Sequence, residues 1–199
     1  MTEPLSAVSY LRASAGVLAA TADACAASIT AAADALSACF EAGGKVMLCG
    51  NGGSAADCQH VAAEFVSLLY ASSPRKALPA IALTTDSSII TARANDVGFG
   101  DVFARQIEAL GRPGDVLLAF STSGTSANVL TAATVAREAG LVVIGLTGSG
   151  ATPLAKTADV VISVPSLDTP HIQEAHGAIG HALCALVEDR LFPAPGAGE

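Results

Sequence analysis

His60 and Glu64 stand four residues apart in CQHVAAEF, and that spacing puts two side chains on one face of a helix. An imidazole beside a carboxylate suits an acid–base couple, a pair of metal ligands or a solvated ion pair. A second cluster lies far along the chain. The segment from Asp168 to His181, DTPHIQEAHGAIGH, holds three of the four histidines. Gln173 and His181 follow helical spacing and can look toward one site. His171, at the helix start, is expected to face solvent, and His176 is open to either reading. A third stretch, Ser121-Thr122-Ser123-Gly124-Thr125-Ser126, offers five hydroxyls and a glycine ahead of a helix. Hydroxyls and free backbone N–H groups bind phosphate without any cation. The same composition also serves as a plain capped helix start; the glycine turn described next tips the reading toward phosphate.

The elements that must position these residues centre on VMLCGNGGSAADCQHVAAE, Val46 to Glu64. Val46-Met47-Leu48-Cys49 reads as a buried parallel strand. Gly50-Asn51-Gly52-Gly53-Ser54 is a turn, and the helix-prone run from Ala55 carries His60 and Glu64. Ser54 with Asp57 three residues later resembles a capping box. Strand, glycine turn and helix start together form an anion site. Further strands are expected at Ala80–Leu83, Asp115–Phe120, Leu141–Leu146 and Asp159–Val164. Helices are expected from Ser87 to Ala94, Asp101 to Leu110, Ser126 to Ala139 and Thr169 to Leu191, with a short one before the last strand. Upstream, Leu5 to Ala42 is an Ala-rich helical arm ended by Gly43-Gly44, with a possible break at Thr21-Ala22-Asp23. Alternating strands and helices specify an α/β, doubly wound, five-stranded parallel sheet flanked by helices, with an N-terminal helical arm. Ligands bind such sheets at the carboxyl ends of the strands. Asn51 to Ser54, Thr84 to Asp86 and Ser121 to Ser126 all occupy such ends.

The chain of 199 residues is 51% hydrophobic and 14% charged, with a net charge of −8. One domain is expected: an arm over 1–44, an α/β core over 45–192 and a loose tail over 193–199. The acidic balance and the absence of Lys/Arg runs argue against nucleic acid. No segment reads as a membrane span and no secretory signal is evident, so a cytoplasmic protein is expected. Five scattered cysteines in apolar contexts suit reduced, buried thiols.

CGNGGSAADCQHVAAEF (49–65), ALTTD (82–86), AND (94–96), GDVLLAFSTSGTSANVL (114–130) and DTPHIQEAHGAIGH (168–181) together resemble the sugar isomerase (SIS) domain and, within it, the phosphoheptose isomerases. The serine loop alone marks only a SIS domain; the NGGSAAD-QH-x-x-x-E block joined to IQE-x-H-x-x-x-x-H is more specific. The resemblance implies a flavodoxin-like SIS fold and isomerisation of sedoheptulose 7-phosphate to a heptose 7-phosphate through an enediol. By similarity Glu64 and His181 are the catalytic pair. Asn51, Gly52, Gly53, Ser54, Glu64, Asn95, Asp96, Ser121, Thr122, Ser123, Ser126, Asp168 and Gln173 match substrate-binding positions. His60, Glu64, Gln173 and His181 match the ligands of members that bind zinc, one Zn²⁺ per subunit, a donor set that suits a carbonyl-polarising ion. Ligation would weaken Glu64 as a base. A homotetramer with shared sites is also implied. This chain departs from many members in having Leu68-Leu69 where they carry arginine. A longer loop, Tyr70 to Ala77, brings Arg75 and Lys76 instead, so altered outer contacts to the substrate are expected. Two alternatives stand beside the isomerase: one making another C2 epimer for a natural-product sugar, and a non-catalytic phosphosugar-binding protein. The presence of both Glu64 and His181 disfavours the second.

Overall fold

The structure is a computed structural model that describes residues 5–193; the expected tail lies, from residue 194 on, outside the described residues. Five parallel strands, β1 (Val46–Cys49), β2 (Ala80–Ala82), β3 (Val116–Phe120), β4 (Val142–Thr147) and β5 (Val160–Ser163), form one sheet in the order β2-β1-β3-β4-β5. Val46 pairs with both Ala80 and Val116, so β1 lies between β2 and β3. β1 and β3 are buried throughout, which is why they read as unbroken apolar runs rather than alternating ones.

Among the described residues, seven α-helices cover the two faces: α1 (Ala7–Glu41), α2 (Gly53–Val66), α3 (Ser87–Asp96), α4 (Ala104–Leu110), α5 (Ala127–Glu138), α6 (Pro153–Thr157) and α7 (Thr169–Leu191). Alternate strand residues feed opposite cores. Leu48, Leu118, Phe120 and Ile144 pack with Leu36, Phe65, Ile179 and Leu183 from α1, α2 and α7. Met47, Leu117, Ala119 and Val143 pack with Ile107, Val129 and Leu154 from α4, α5 and α6. The chain leaves the sheet in opposite senses after β1 and β3, so the crevice between their carboxyl ends is the switch point where such sheets bind ligands.

Several boundaries differ from expectation. The arm is one unbroken 35-residue helix started by a Ser6/Ser9 capping box; Thr21 sends its hydroxyl back to the Val17 carbonyl instead of interrupting the helix. That helix is long and apolar enough by composition to cross a membrane, contrary to the sequence reading. Its apolarity comes largely from alanine, and its second half buries Ala32, Ala33 and Leu36 in the core. The expected helix from Asp101 divides into a 3-10 turn, Phe99–Asp101, and α4. α2 ends at Val66 rather than near Leu69. All five cysteines are free and buried, and burial pushes the Cys49 thiol up to about 12.

Candidate active site

The glycine turn after β1 ends in Gly52, whose φ of 57° lies in the left-handed region that glycine tolerates. Gly52 is the N-cap of α2, so the expected Ser54/Asp57 capping box does not form, and no side chain caps this helix. Ser54 is buried inside the first turn, and the Gln173 amide donates to its hydroxyl at 3.5 Å. The Ala55 and Ala56 amides donate to the Gly52 carbonyl at 3.0 and 3.3 Å, which leaves the Gly53 and Ser54 amides at the start of α2 for a ligand.

The serine loop follows β3. Its Gly124 has a φ of 63° and sits so close to Thr147 and Thr152 that a Cβ would meet Thr152 at 2.4 Å. Ser121 and Ser126 hydroxyls pair at 3.1 Å, and Ser123 and Thr125 hydroxyls at 2.9 Å. Ser126 is the N-cap of α5 yet makes no side-chain bond to its amides. Thr122 gives its carbonyl to Gly148 N–H, which ties the loop to the end of β4. Hydroxyls and a helix start therefore gather at the carboxyl end of β3, an arrangement that suits a phosphate.

The two loops are joined by a residue the sequence reading missed. The Asn51 and Asn128 amides exchange two hydrogen bonds, each 2.8 Å, and the Asn128 oxygen also accepts from Val129 N–H. Asn128 lies in SANVL just past the serine loop, inside a helix, where an asparagine is expected to face water. Its burial is visible only once the two strand ends are side by side.

α2 and α7 run side by side, and glycines lie where their surfaces meet, Gly180 against the branched Val61 setting how close they come. A Cβ at Gly53 would stand 2.2 Å from Gln173 Nε2, and one at Gly180 would stand 2.5 Å from Val61 Cγ2. This close approach brings His60, Glu64 and His181 together. His60 Nε2 and His181 Nε2 are 2.7 Å apart, and Glu64 Oε1 is 3.6 Å from His60 Nε2. One ligand atom from each residue lies within 4.8 Å of the other two. Two imidazole nitrogens and a carboxylate oxygen converging on one point suit either a shared proton or a divalent cation of the zinc type. Glu64 is half-buried and His60 half-exposed, so the cluster is open on one side.

Gln173 is not in that trio. It lies eight residues before His181 on the same helix, about 12 Å along the axis, and turns toward Ser54 and Gly53. Asp168 is the N-cap of α7 and accepts from His171 N–H. Asn95 and Asp96 end α3, face solvent and pair with each other at 2.8 Å. Asp57, one turn before His60, has a buried oxygen without a partner; burial raises its carboxyl pKa, with the His60 charge opposing.

Two side chains depart from their sequence readings, His171 and Arg75, and a third, His176, is open to either reading in the sequence. His171 is mostly covered, its Nδ1–H donating to the Glu174 carboxylate (3.0 Å) and its ring tilted against that of Tyr10, whose hydroxyl also donates to Glu174. Glu174 thereby ties the arm to α7. His176 is fully buried with its edge on Phe120, and desolvation holds its pKa down to about 4, so it is a neutral packing residue. Arg75 does not reach outward: its side chain is 2% exposed and spends its donors on protein acceptors.

The SIS domain family model matches residues 9–148. The phosphoheptose isomerase of Rhodospirillum rubrum is 56% identical over 167 residues, covering 84% of this chain and 88% of its own. That of Roseiflexus is 54% identical over 153 residues, covering 77% of each. Among solved structures, the phosphoheptose isomerase of Francisella tularensis superposes with a TM-score of 0.87 at 40% identity, over 91% of this chain and 95% of its own. The Neisseria gonorrhoeae enzyme gives 0.85 at 40% identity, over 92% and 96%. This chain belongs to the SIS-domain family and, within it, to the phosphoheptose isomerases.

Proposed function

We propose that this aldose–ketose isomerase converts D-sedoheptulose 7-phosphate to D-glycero-D-manno-heptose 7-phosphate, with Glu64 and His181 as its acid–base pair. The carrying observation is the meeting of His60, Glu64 and His181 on α2 and α7, beside a crevice floored by a hydroxyl-rich loop. The 7-phosphate is read onto Ser121, Thr122, Ser123 and Ser126 with the free N-terminus of α5. Asn51, Gly52, Gly53, Ser54 and Gln173 line the route between that loop and the trio. His60 is about 10 Å along α2 from Gly53, a length comparable to an extended sugar phosphate.

In this reading Glu64 removes the proton from C1 while His181 gives a proton to the C2 oxygen, leaving a 1,2-enediol. The Glu64 carboxyl, open to solvent on one side, exchanges its proton with water and then protonates C2 as His181 takes the proton from the C1 oxygen, and the aldehyde forms. Each group ends in its starting state. His60, Glu64 and His181 in its neutral form would hold a zinc ion, with Gln173 as a further ligand only if its side chain swings from Ser54. Zinc, when bound, supplies Lewis-acid polarisation of the substrate carbonyl.

The chain is assigned as one cytoplasmic domain forming a homotetramer. The apolar Leu5 just ahead of α1 and Val8, Leu11 and Leu18 on its exposed side support an association through the arm. Asn95, Asp96 and Asp168, exposed on this chain, suit sites completed by a neighbouring subunit. The test is turnover of sedoheptulose 7-phosphate by the parent protein and by His181→Gln, with zinc counted by elemental analysis. Release of an aldose 7-phosphate by the parent only, with about one zinc per subunit, is expected. No aldose phosphate from the parent with zinc supplied contradicts the isomerase reading; turnover by a zinc-free parent removes zinc alone.

A further inference from the structure

The end of α2 that carries Glu64 is held by a buried arginine from the following loop. Arg75 Nη2 donates to the Glu64 carbonyl at 2.8 Å, and Nη1 donates to the Phe65 carbonyl at 2.9 Å. Those carbonyls belong to the last turn of the helix, where intrahelical donors run out and the dipole favours a cation. On its other edge the guanidinium meets the Glu188 carboxylate, with Nε at 2.7 Å and Nη2 at 2.6 Å from Oε1. Glu188 also accepts from Leu69 N–H at 3.0 Å. It is a residue of α7, two turns beyond His181 on the same helix.

One planar fork thus grips the backbone of Glu64 itself and, through Glu188, the helix that presents His181. Above it, Gly180 against Val61 limits how near the helices can come. The glycine contact sets the closest approach, and the arginine resists separation and axial slip. The Arg75 side chain is 2% exposed and Glu188's 10%, so the pair is too well shielded to be a solvent-screened surface bridge. A buried ion pair is a poor source of stability compared with apolar packing but a good source of fixed geometry, because only one arrangement satisfies its donors and acceptors.

We propose that Arg75 and Glu188 are positioning residues for the isomerisation, clamping α2 to α7 so that Glu64, His60 and His181 keep their mutual geometry. Neither touches the substrate. The clamp also gives a structural use to the loop from Tyr70 to Ala77, whose length lets Arg75 turn back under α2. The proposal rests on the isomerase reading of the trio.

The test separates position from stability. Single Arg75→Met strands Glu188 without its partner and is expected to lower the melting temperature as well as activity. Arg75→Met/Glu188→Leu replaces the pair with apolar volume and is expected to regain most of the melting temperature. Its kcat on sedoheptulose 7-phosphate is nevertheless expected to stay roughly 10- to 100-fold low with KM within about twofold, the signature of misplaced catalytic groups. Arg75→Lys keeps the charge but cannot reach the two carbonyls and Glu188 together, so it is expected to fold normally and remain partly impaired. A double variant that regains kcat along with its melting temperature overturns the clamp, as does a lysine variant with parental kcat. The parent is run in the same assay: a parent without turnover overturns the isomerase reading instead.

Discussion

Gly180→Ala tests how strictly the α2–α7 spacing governs chemistry. A Cβ at this position would lie 2.5 Å from Val61 Cγ2, where ordinary contact begins at 3.4 Å, so the neighbours must yield by roughly an ångström. Val61 is fully buried, and a valine on a helix has one strongly preferred rotamer, so the side chain has little freedom to turn away. The helices must part instead. Overpacking of this kind costs about 1–3 kcal/mol, while exchanging glycine for alanine inside a helix returns about 1 kcal/mol. The net loss in a urea titration is therefore expected to be small, about 0–2 kcal/mol. Activity has no such compensation. His60 and His181 meet at 2.7 Å across the same contact, and a displacement near 1 Å in a catalytic constellation costs on the order of 100-fold in rate. Steady-state kinetics should show kcat down by about that factor in a well-folded protein. Adding Val61→Ala removes the clashing methyl and should restore most of kcat, a coupling that independent sites would not show. A Gly180→Ala enzyme with kcat within twofold of the parent would refute the reasoning.

Two further outcomes follow from the geometry. Asn128→Ala removes both amide bonds to Asn51; a stability loss of about 1–2 kcal/mol in denaturant is expected, with KM for the phosphosugar rising more than kcat falls because the two loops lose their registry. His176 is kept neutral by burial, with a folded-state pKa of about 4 against 6.5 for the free side chain. The unfolded chain therefore binds the proton more readily between those values, and this contribution to stability is complete above about pH 6.5 and falls away toward pH 4. Over that window it amounts to about 3 kcal/mol. His176→Phe, which keeps a ring against Phe120, should flatten the dependence in urea midpoints measured from pH 4 to 7; an unchanged slope would remove His176 as its source.

The sheet was legible because buried parallel strands leave long apolar runs, and β1 and β3 are covered on both faces. The phosphate loop was legible because glycine and hydroxyl residues have few uses at a strand end. The trio was legible only as two separate halves, since His60–Glu64 and His181 stand far apart in the chain and only the packing of α2 on α7 joins them. The rest was hidden for a common reason. Asn128 and Arg75 are polar residues in segments that read as surface, His176 is open to either reading, and each is buried beside a partner distant in sequence: Asn51, Glu188 and Thr147. Ser54 misled in the opposite way, because a capping pattern is local whereas the chain's real turn there depends on the φ of Gly52.

The central claim is that Glu64 and His181 move protons between C1 and C2 of a ketose phosphate. Proton NMR of sedoheptulose 7-phosphate in deuterated water, with the parent protein and with Glu64→Gln, tests it most directly. An aldose 7-phosphate carrying deuterium at C2 is expected from the parent and no conversion from a normally folded variant; a parallel run in ordinary water, which keeps H2, gives the couplings at C1 and C2 that identify the manno epimer. Near-normal conversion by Glu64→Gln would contradict it.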